Sequence, residues 1–228
     1  MKKAILIDMG DTLIHNINID FTNAILYLYD VTKKCNVDKL HFVSESVNIL
    51  NTIFNERKNL EFKMKEYIQL LIDLYNLEFD VDLNELEEGF AFNSCKMEII
   101  DGVEDILQYF NNKKYPVILL SNTSFSKPVI LKMLGKLSIY FEEIIVSSEN
   151  VFRKPSEFFF KQGINKFKDN SKEIYYIGND FYHDIFGAYN AGIKPIWFKK
   201  YGTKKDENLN VGDYIEIESY YDLIYSDF

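Results

Sequence analysis

The sequence is short of the residues that build a zinc knuckle or a disulfide framework. It has two cysteines, Cys35 and Cys95, with neither metal nor redox spacing. Reduced thiols in a reducing compartment are the expectation. Its three histidines, His15, His41 and His183, show no zinc-ligand spacing. Positive charge is also scarce: 26 Lys and Arg against 35 Asp and Glu leave a net charge of −9. Such a chain repels phosphate backbones, which argues against nucleic acid as a partner. No apolar run approaches the length of a membrane span. The first apolar run, Ala4–Ile7, is cut off by Asp8 and is too short for a signal core. A cytoplasmic protein with no membrane contact, monomeric or homodimeric, is expected. Repeats and low-complexity tracts are lacking too. What is present suits a globular protein: 47% hydrophobic and 27% charged residues over 228 positions. That length holds one domain with an inserted subdomain, or two small domains.

Ala4–Ile7 has counterparts at Val117–Leu120, Ile144–Val146, Ile174–Ile177 and Ile196–Phe198. Continuous apolar runs bounded by polar residues suit strands covered on both faces, as in parallel sheets. Between them lie helical spacings. Val103, Ile106, Leu107 and Phe110 form one; Ile130, Met133, Leu134 and Leu137 a second; Phe160, Gly163, Ile164 and Phe167 a third. Tyr214–Ile217 and Tyr220–Tyr225 read as a last short strand and a closing helix. The alternation predicts an α/β fold, a Rossmann-like parallel sheet flanked by helices. Residues 16–96 break it and read as helices only. Their apolar faces are Phe21/Ala24/Ile25/Leu28, Val43/Val47/Leu50/Phe54 and Met64/Ile68/Leu71/Tyr75. The expected organisation is a core of residues 1–15 and 97–228, with residues 16–96 inserted as an all-helical cap. A helical elaboration with no part in recognition is the alternative.

Ligands in open α/β sheets bind beyond the carboxyl ends of the strands. The first strand is followed by Asp8-Met9-Gly10-Asp11-Thr12 and the second by Ser121-Asn122-Thr123-Ser124. Arg153-Lys154-Pro155 comes after the third, and Asn179-Asp180 with Asp184 after the fourth. A carboxylate nucleophile can attack phosphorus or carbon and hold the product covalently. Clustered carboxylates repel an anionic substrate unless a hard cation such as Mg²⁺ joins them. A lysine neutralises nucleophile and substrate oxygens, and hydroxyls and loop N–H groups bind the rest.

At these residues the sequence resembles the haloacid dehalogenase-like hydrolases. Four motifs follow in that family's order, each after an apolar strand, with Gly187-Ala188-x-x-Ala191-Gly192 behind the last. The resemblance implies Asp8 as nucleophile, Ser121 as phosphoryl ligand and Lys154 as charge stabiliser. It implies a Mg²⁺ site from Asp8, the Gly10 carbonyl and the acids of the fourth motif, where Asn179 and Asp180 both stand as candidates. Asp184 would serve Lys154, Thr12 and Asn122 would join the phosphate loops, and the cap would set substrate choice. Two positions depart from the pattern. Gly10 stands where phosphatases of the family carry a general acid, with Asp11 one residue later. Asn179 stands in place of the first acidic metal ligand.

The expected function is a Mg²⁺-dependent phosphatase for a small phosphorylated metabolite, working through an aspartyl-phosphate. Two alternatives remain. One is a metal-independent dehalogenase-type hydrolase, which would also lack the second acid. The other is a low-activity or non-catalytic binder on the same fold.

Overall fold

The structure, a computed structural model, describes residues 3–168 and 173–228. Six parallel strands form one sheet in the order β5-β4-β1-β6-β7-β8. They are β1 (Lys3–Ile7), β4 (Val117–Ser121), β5 (Glu143–Val146), β6 (Glu173–Gly178), β7 (Lys194–Phe198) and β8 (Ile215–Ile217). Each apolar run of the sequence lies in one of these strands.

Side chains alternate across the sheet, so one run feeds two cores. Ile5 and Ile7 of β1 join Val117, Leu119 and Ile177 on one face. There they meet α5 (Val103–Asn112), α6 (Lys127–Leu134) and α9 (Tyr220–Tyr225). Ala4 and Leu6 join Ile118, Leu120 and Tyr176 on the other face, under α7 (Glu157–Ile164) and α8 (Gly187–Asn190). The predicted third helical face runs past the helix end: Phe167 is buried, but beyond α7.

Four helices fill the insert: α1 (Phe21–Val31), α2 (Lys39–Glu56), α3 (Met64–Tyr75) and α4 (Leu83–Ser94). Asp20, Asp38 and Asp82 cap the N-termini of α1, α2 and α4. Such caps satisfy N–H groups that have no partner within the helix. The helices bury a core of their own, including Ile25, Phe42, Tyr67, Leu71 and Phe90. On α2 the fully buried stripe is Phe42, Ser46 and Leu50, and Val43, Val47 and Phe54 sit at its margin.

The helices-only reading of residues 16–96 needs correction at both ends. β2 (Ile14–Ile17) pairs antiparallel with β3 (Lys96–Ile99), in register Ile14↔Ile99 to Ile17↔Lys96. This ribbon carries the chain into and out of the insert. Its strands have four residues each, half of them polar, too short for an alternation to declare itself.

β1 is the point where the strand order reverses. From it the chain moves outward to β4 and β5, then returns to β6 and proceeds to β7 and β8. The crevice at that reversal opens beyond the carboxyl end of β1, where Asp8 stands.

Candidate active site

Asp8 extends the sheet by one residue, its N–H donating to Ile177 O at 2.9 Å. The carboxylate is 7% exposed. Lys154 Nζ lies 2.8 Å from Asp8 Oδ1, a charge-assisted contact between two buried groups.

Lys154 is itself buried. Its ammonium donates to Asp184 Oδ1 and to Tyr176 Oη, both at 2.6 Å. Burial works to lower the lysine pKa, but Asp184 and Asp8 outweigh it and hold the ammonium above its ordinary value. Asp184 is 1% exposed. Burial pushes its carboxyl up to about 6, against the pull of Lys154 and with the help of Asp8. Its second oxygen accepts the Asp180 N–H at 2.9 Å, so both oxygens are engaged. Gly178 makes this possible, because a Cβ there would overlap the Asp184 carboxyl.

Tyr176 is a component the sequence reading missed. Its hydroxyl, beside Lys154, has Leu120 O at 3.0 Å and Asp184 Oδ1 at 3.2 Å as acceptors. In the sequence it is one more bulky residue of a buried strand. The available signal was its parity with Leu6-facing residues, together with the need of a buried tyrosine hydroxyl for a partner.

Ser121 ends β4 and is nearly buried. Among the described residues its hydroxyl has no protein hydrogen-bond partner. Asn122 is occupied differently. Its Nδ2 donates to Lys154 O at 3.0 Å, and its Oδ1 accepts the Lys154 N–H at 2.8 Å. The amide thus clamps the backbone that carries Lys154. Thr12 is fully buried. Its hydroxyl donates to Asn179 Oδ1 at 3.3 Å, and its carbonyl accepts from Tyr220 Oη at 2.5 Å. Asn179 spends its other end on Tyr201 O, at 3.1 Å.

Asp11 has a positive φ of 53° and turns its carboxylate onto its own loop. Oδ1 accepts from Asn16 N at 3.1 Å and pairs with His15 Nδ1 at 2.8 Å. Gly10 leaves room for Asn16, whose Nδ2 would lie 3.1 Å from a Cβ at that position. Asp180 caps the following turn, accepting the His183 N–H at 2.7 Å. Contacts with His183 outweigh burial and keep Asp180 below the usual carboxylate range.

A cavity of about 280 Å³ opens beside Gly10 and Ser121. Core residues Ser121–Phe125 form one wall, and Phe21, Phe54, Arg57 and Met64 of the insert form the other. The insert is fastened across it by Glu61, whose side chain is completely buried. Glu61 accepts from Arg57 Nη1 at 2.9 Å, Ser124 Oγ at 3.2 Å and Ser147 Oγ at 2.7 Å, with Arg153 Nε at 3.5 Å. Arg57 and Glu61 were not singled out in the sequence. They belong to the connection between α2 and α3, and only the docked insert shows what they face.

A family model for haloacid dehalogenase-like hydrolases matches residues 2–192. A glyceraldehyde 3-phosphate phosphatase from Pyrococcus furiosus is 32% identical over 81 residues, 36% of this chain and 33% of that protein. The chain thus aligns with about a third of the length of that curated relative. Two solved structures share the fold along nearly the whole chain. A 2-haloacid dehalogenase from Pseudomonas syringae pv. Tomato DC3000 has a TM-score of 0.67 at 18% identity, over 99% of this chain and 97% of that one. A HAD phosphatase from Thermococcus onnurineus has 0.64 at 20% identity, over 98% and 97%. With a family match across most of its length and the sheet to go with it, the chain belongs to the haloacid dehalogenase-like hydrolases.

Proposed function

We propose that this protein is a Mg²⁺-assisted phosphatase that hydrolyses a small phosphorylated molecule through an aspartyl-phosphate on Asp8. The observation that carries this reading is the Asp8 carboxylate. It is buried at the strand-order reversal and paired with a buried ammonium. Similarity to a phosphatase of a small sugar phosphate supports the substrate class.

Asp8 attacks phosphorus, forming an Asp8 O–P bond as the bond to the leaving oxygen breaks. With Gly10 in place of an acid, an alcohol leaving group takes its proton from solvent water, and an acyl phosphate needs none. Water then attacks the same phosphorus, releasing inorganic phosphate and restoring the carboxylate. Lys154 offsets the charge on Asp8 and the phosphoryl oxygens, while Asp184 and Tyr176 hold the ammonium in position. The Ser121 hydroxyl donates to a phosphoryl oxygen. Asn122 acts through Lys154, and Thr12 and Asp11 brace the loop that carries Asp8.

The donors suit a hard cation, since all are oxygens. The Asp8 carboxylate, the Gly10 carbonyl and the Asp180 carboxylate would hold it. Asn179 is the weaker fourth-motif candidate, because Thr12 and Tyr201 occupy both ends of its amide. Among the described residues no three His, Cys, Asp or Glu side chains form a ready-made cage. Two carboxylates completed by substrate oxygens and water are typical for Mg²⁺. Bound there, the ion would neutralise the phosphoryl oxygens and polarise phosphorus. Residues 16–96 would act as the cap that encloses the substrate.

The test is a panel of phosphate esters and acyl phosphates, with Mg²⁺ or EDTA, on wild type and Asp8→Asn. Phosphate release is expected to need the metal and to fall by about a thousandfold or more in the variant. Undiminished release by Asp8→Asn would overturn the mechanism.

A second reading, metal-independent displacement at carbon, is favoured by one observation. The position two residues after Asp8 is a glycine backed by the Asn16 amide rather than an acid. Halide release in EDTA would establish it.

A further inference from the structure

In the cavity beside Gly10 and Ser121, one residue carries a formal charge among the described residues that line it: Arg57, contributed by the insert. The neighbouring walls are amides, hydroxyls, methionines and phenylalanines, so this charge has no counterpart facing it across the cavity.

The guanidinium is held rigidly. Its central carbon stacks over the Phe54 ring at 4.6 Å and lies 5.9 Å from the Phe62 ring. Nη1 is committed to Glu61 and, at 3.4 Å, to Ser124 Oγ. Nε and Nη2 have no protein acceptor among the described residues, and neither is sealed from solvent. Stacking on one face leaves the edge of the guanidinium for hydrogen bonding, in the fork geometry that matches a carboxylate or a phosphate.

Glu61 does not cancel this charge, because it is shared. The charges acting on Arg57 are those of Glu61 and Arg153. Arg153 contacts the same carboxylate at 3.5 Å, and its Nε is buried without a hydrogen-bond partner. Two guanidinium groups and one carboxylate leave a net positive charge at the cavity wall. A partly desolvated excess cation is costly unless an anion accompanies it.

We infer that the substrate carries a second anionic group, a carboxylate or a further phosphate, and that Arg57 receives it while the reacting phosphoryl group lies at Asp8. The inference rests on the phosphatase reading above. Phe21, Phe54 and Phe125 line the same cavity, whose volume of about 280 Å³ suits a short organic spacer.

The test measures binding and turnover separately, with three probes of similar length. They are 3-phosphoglycerate with a carboxylate tail, 1,3-propanediol bisphosphate with a phosphate tail, and glycerol 3-phosphate with an uncharged tail. Calorimetric titration of Asp8→Asn, which needs no turnover, should show at least one anionic-tailed probe binding about tenfold or more tightly than glycerol 3-phosphate. Whichever tail binds better identifies the group. The preference should fall at least tenfold when Arg57→Gln is added, with melting temperature checked to confirm folding, and should be partly restored by Arg57→Lys. Equal binding of all three probes, or a preference that survives Arg57→Gln, overturns the inference. Phosphate release by wild type with no preference among tails overturns it and leaves the phosphatase reading intact. A tail preference in binding, with no phosphate released from any ester, supports Arg57 as the anion site and overturns the phosphatase reading instead.

Discussion

Lys154 is a buried ammonium between two buried carboxylates, and neither side is viable without the other. Asp184 already has its carboxyl raised by burial. Replacing Lys154 by methionine keeps much of the volume and removes the charge that makes Asp8 and Asp184 tolerable. Breaking a buried pair in this way costs about 3–5 kcal/mol at neutral pH. The sign with pH follows from Asp184. Its folded-state value stands above the unfolded one, so the folded variant binds more protons than the unfolded chain. Its deficit should therefore be smallest below the ordinary carboxylate range, near 3.8, and grow as pH rises through the elevated value. Urea unfolding of Lys154→Met and wild type between pH 4 and about 8 checks this. A deficit independent of pH would mean that the ammonium matters only for packing.

Glu61 plays a comparable part between elements. It joins the α2–α3 connection to the loop after β4, to Ser147 beyond β5 and to Arg153, the residue before Lys154. The backbone adds Met64 N to Ser124 O at 2.8 Å and Arg153 N to Asn59 O at 3.2 Å. Glu61→Gln should leave the helices formed and loosen their seat on the core, since two arginines lose their common anion. The expected loss is about 3 kcal/mol. Limited proteolysis or hydrogen exchange should show faster opening at residues 57–64 than at β1. Equal protection there would show that the carboxylate is dispensable to docking. None of this was legible in the sequence, because Glu61 looks like any loop acid until a second element is packed against it. The ribbon β2–β3 escaped for another reason, its brevity. Three of the four helices of the insert, by contrast, were legible, while α4 was given no face of its own. Each must bury a stripe against its neighbours, and Met64, Ile68, Leu71 and Tyr75 do so as spaced.

For the whole molecule, the sheet and the place of the site were legible for the same physical cause. A parallel strand is covered on both faces, so it reads as an unbroken apolar run, and the polar residue that ends it lies at the ligand-binding edge. Asp8 and Ser121 follow from that rule, whereas Lys154 and Asp184 stand further along the chain from their strands and were singled out by the family resemblance. What each polar atom is spent on did not follow, as Asn122 and Thr12 illustrate: both are occupied by the protein itself. The insert has its own hydrophobic core, joined to the sheet by a ribbon and a polar seam. Stability should accordingly be uneven. Native-state hydrogen exchange should find β1, β4 and β6 protected to higher denaturant than α1–α4, and a single unfolding isotherm for both would contradict this division.

The bond from Tyr220 Oη to Thr12 O joins the loop after Asp8 to a helix 208 residues later in the chain. Contacts of such long sequence separation form late and slowly. A chain growing from its amino terminus has made Asp8 and the rest of the sheet's centre well before it makes the brace for the loop beside them. Newly synthesised protein should thus hold every reacting residue and remain inactive until α9 docks. Synthesis and catalytic competence are in this way separated in time, and the docking of α9 marks the step between them.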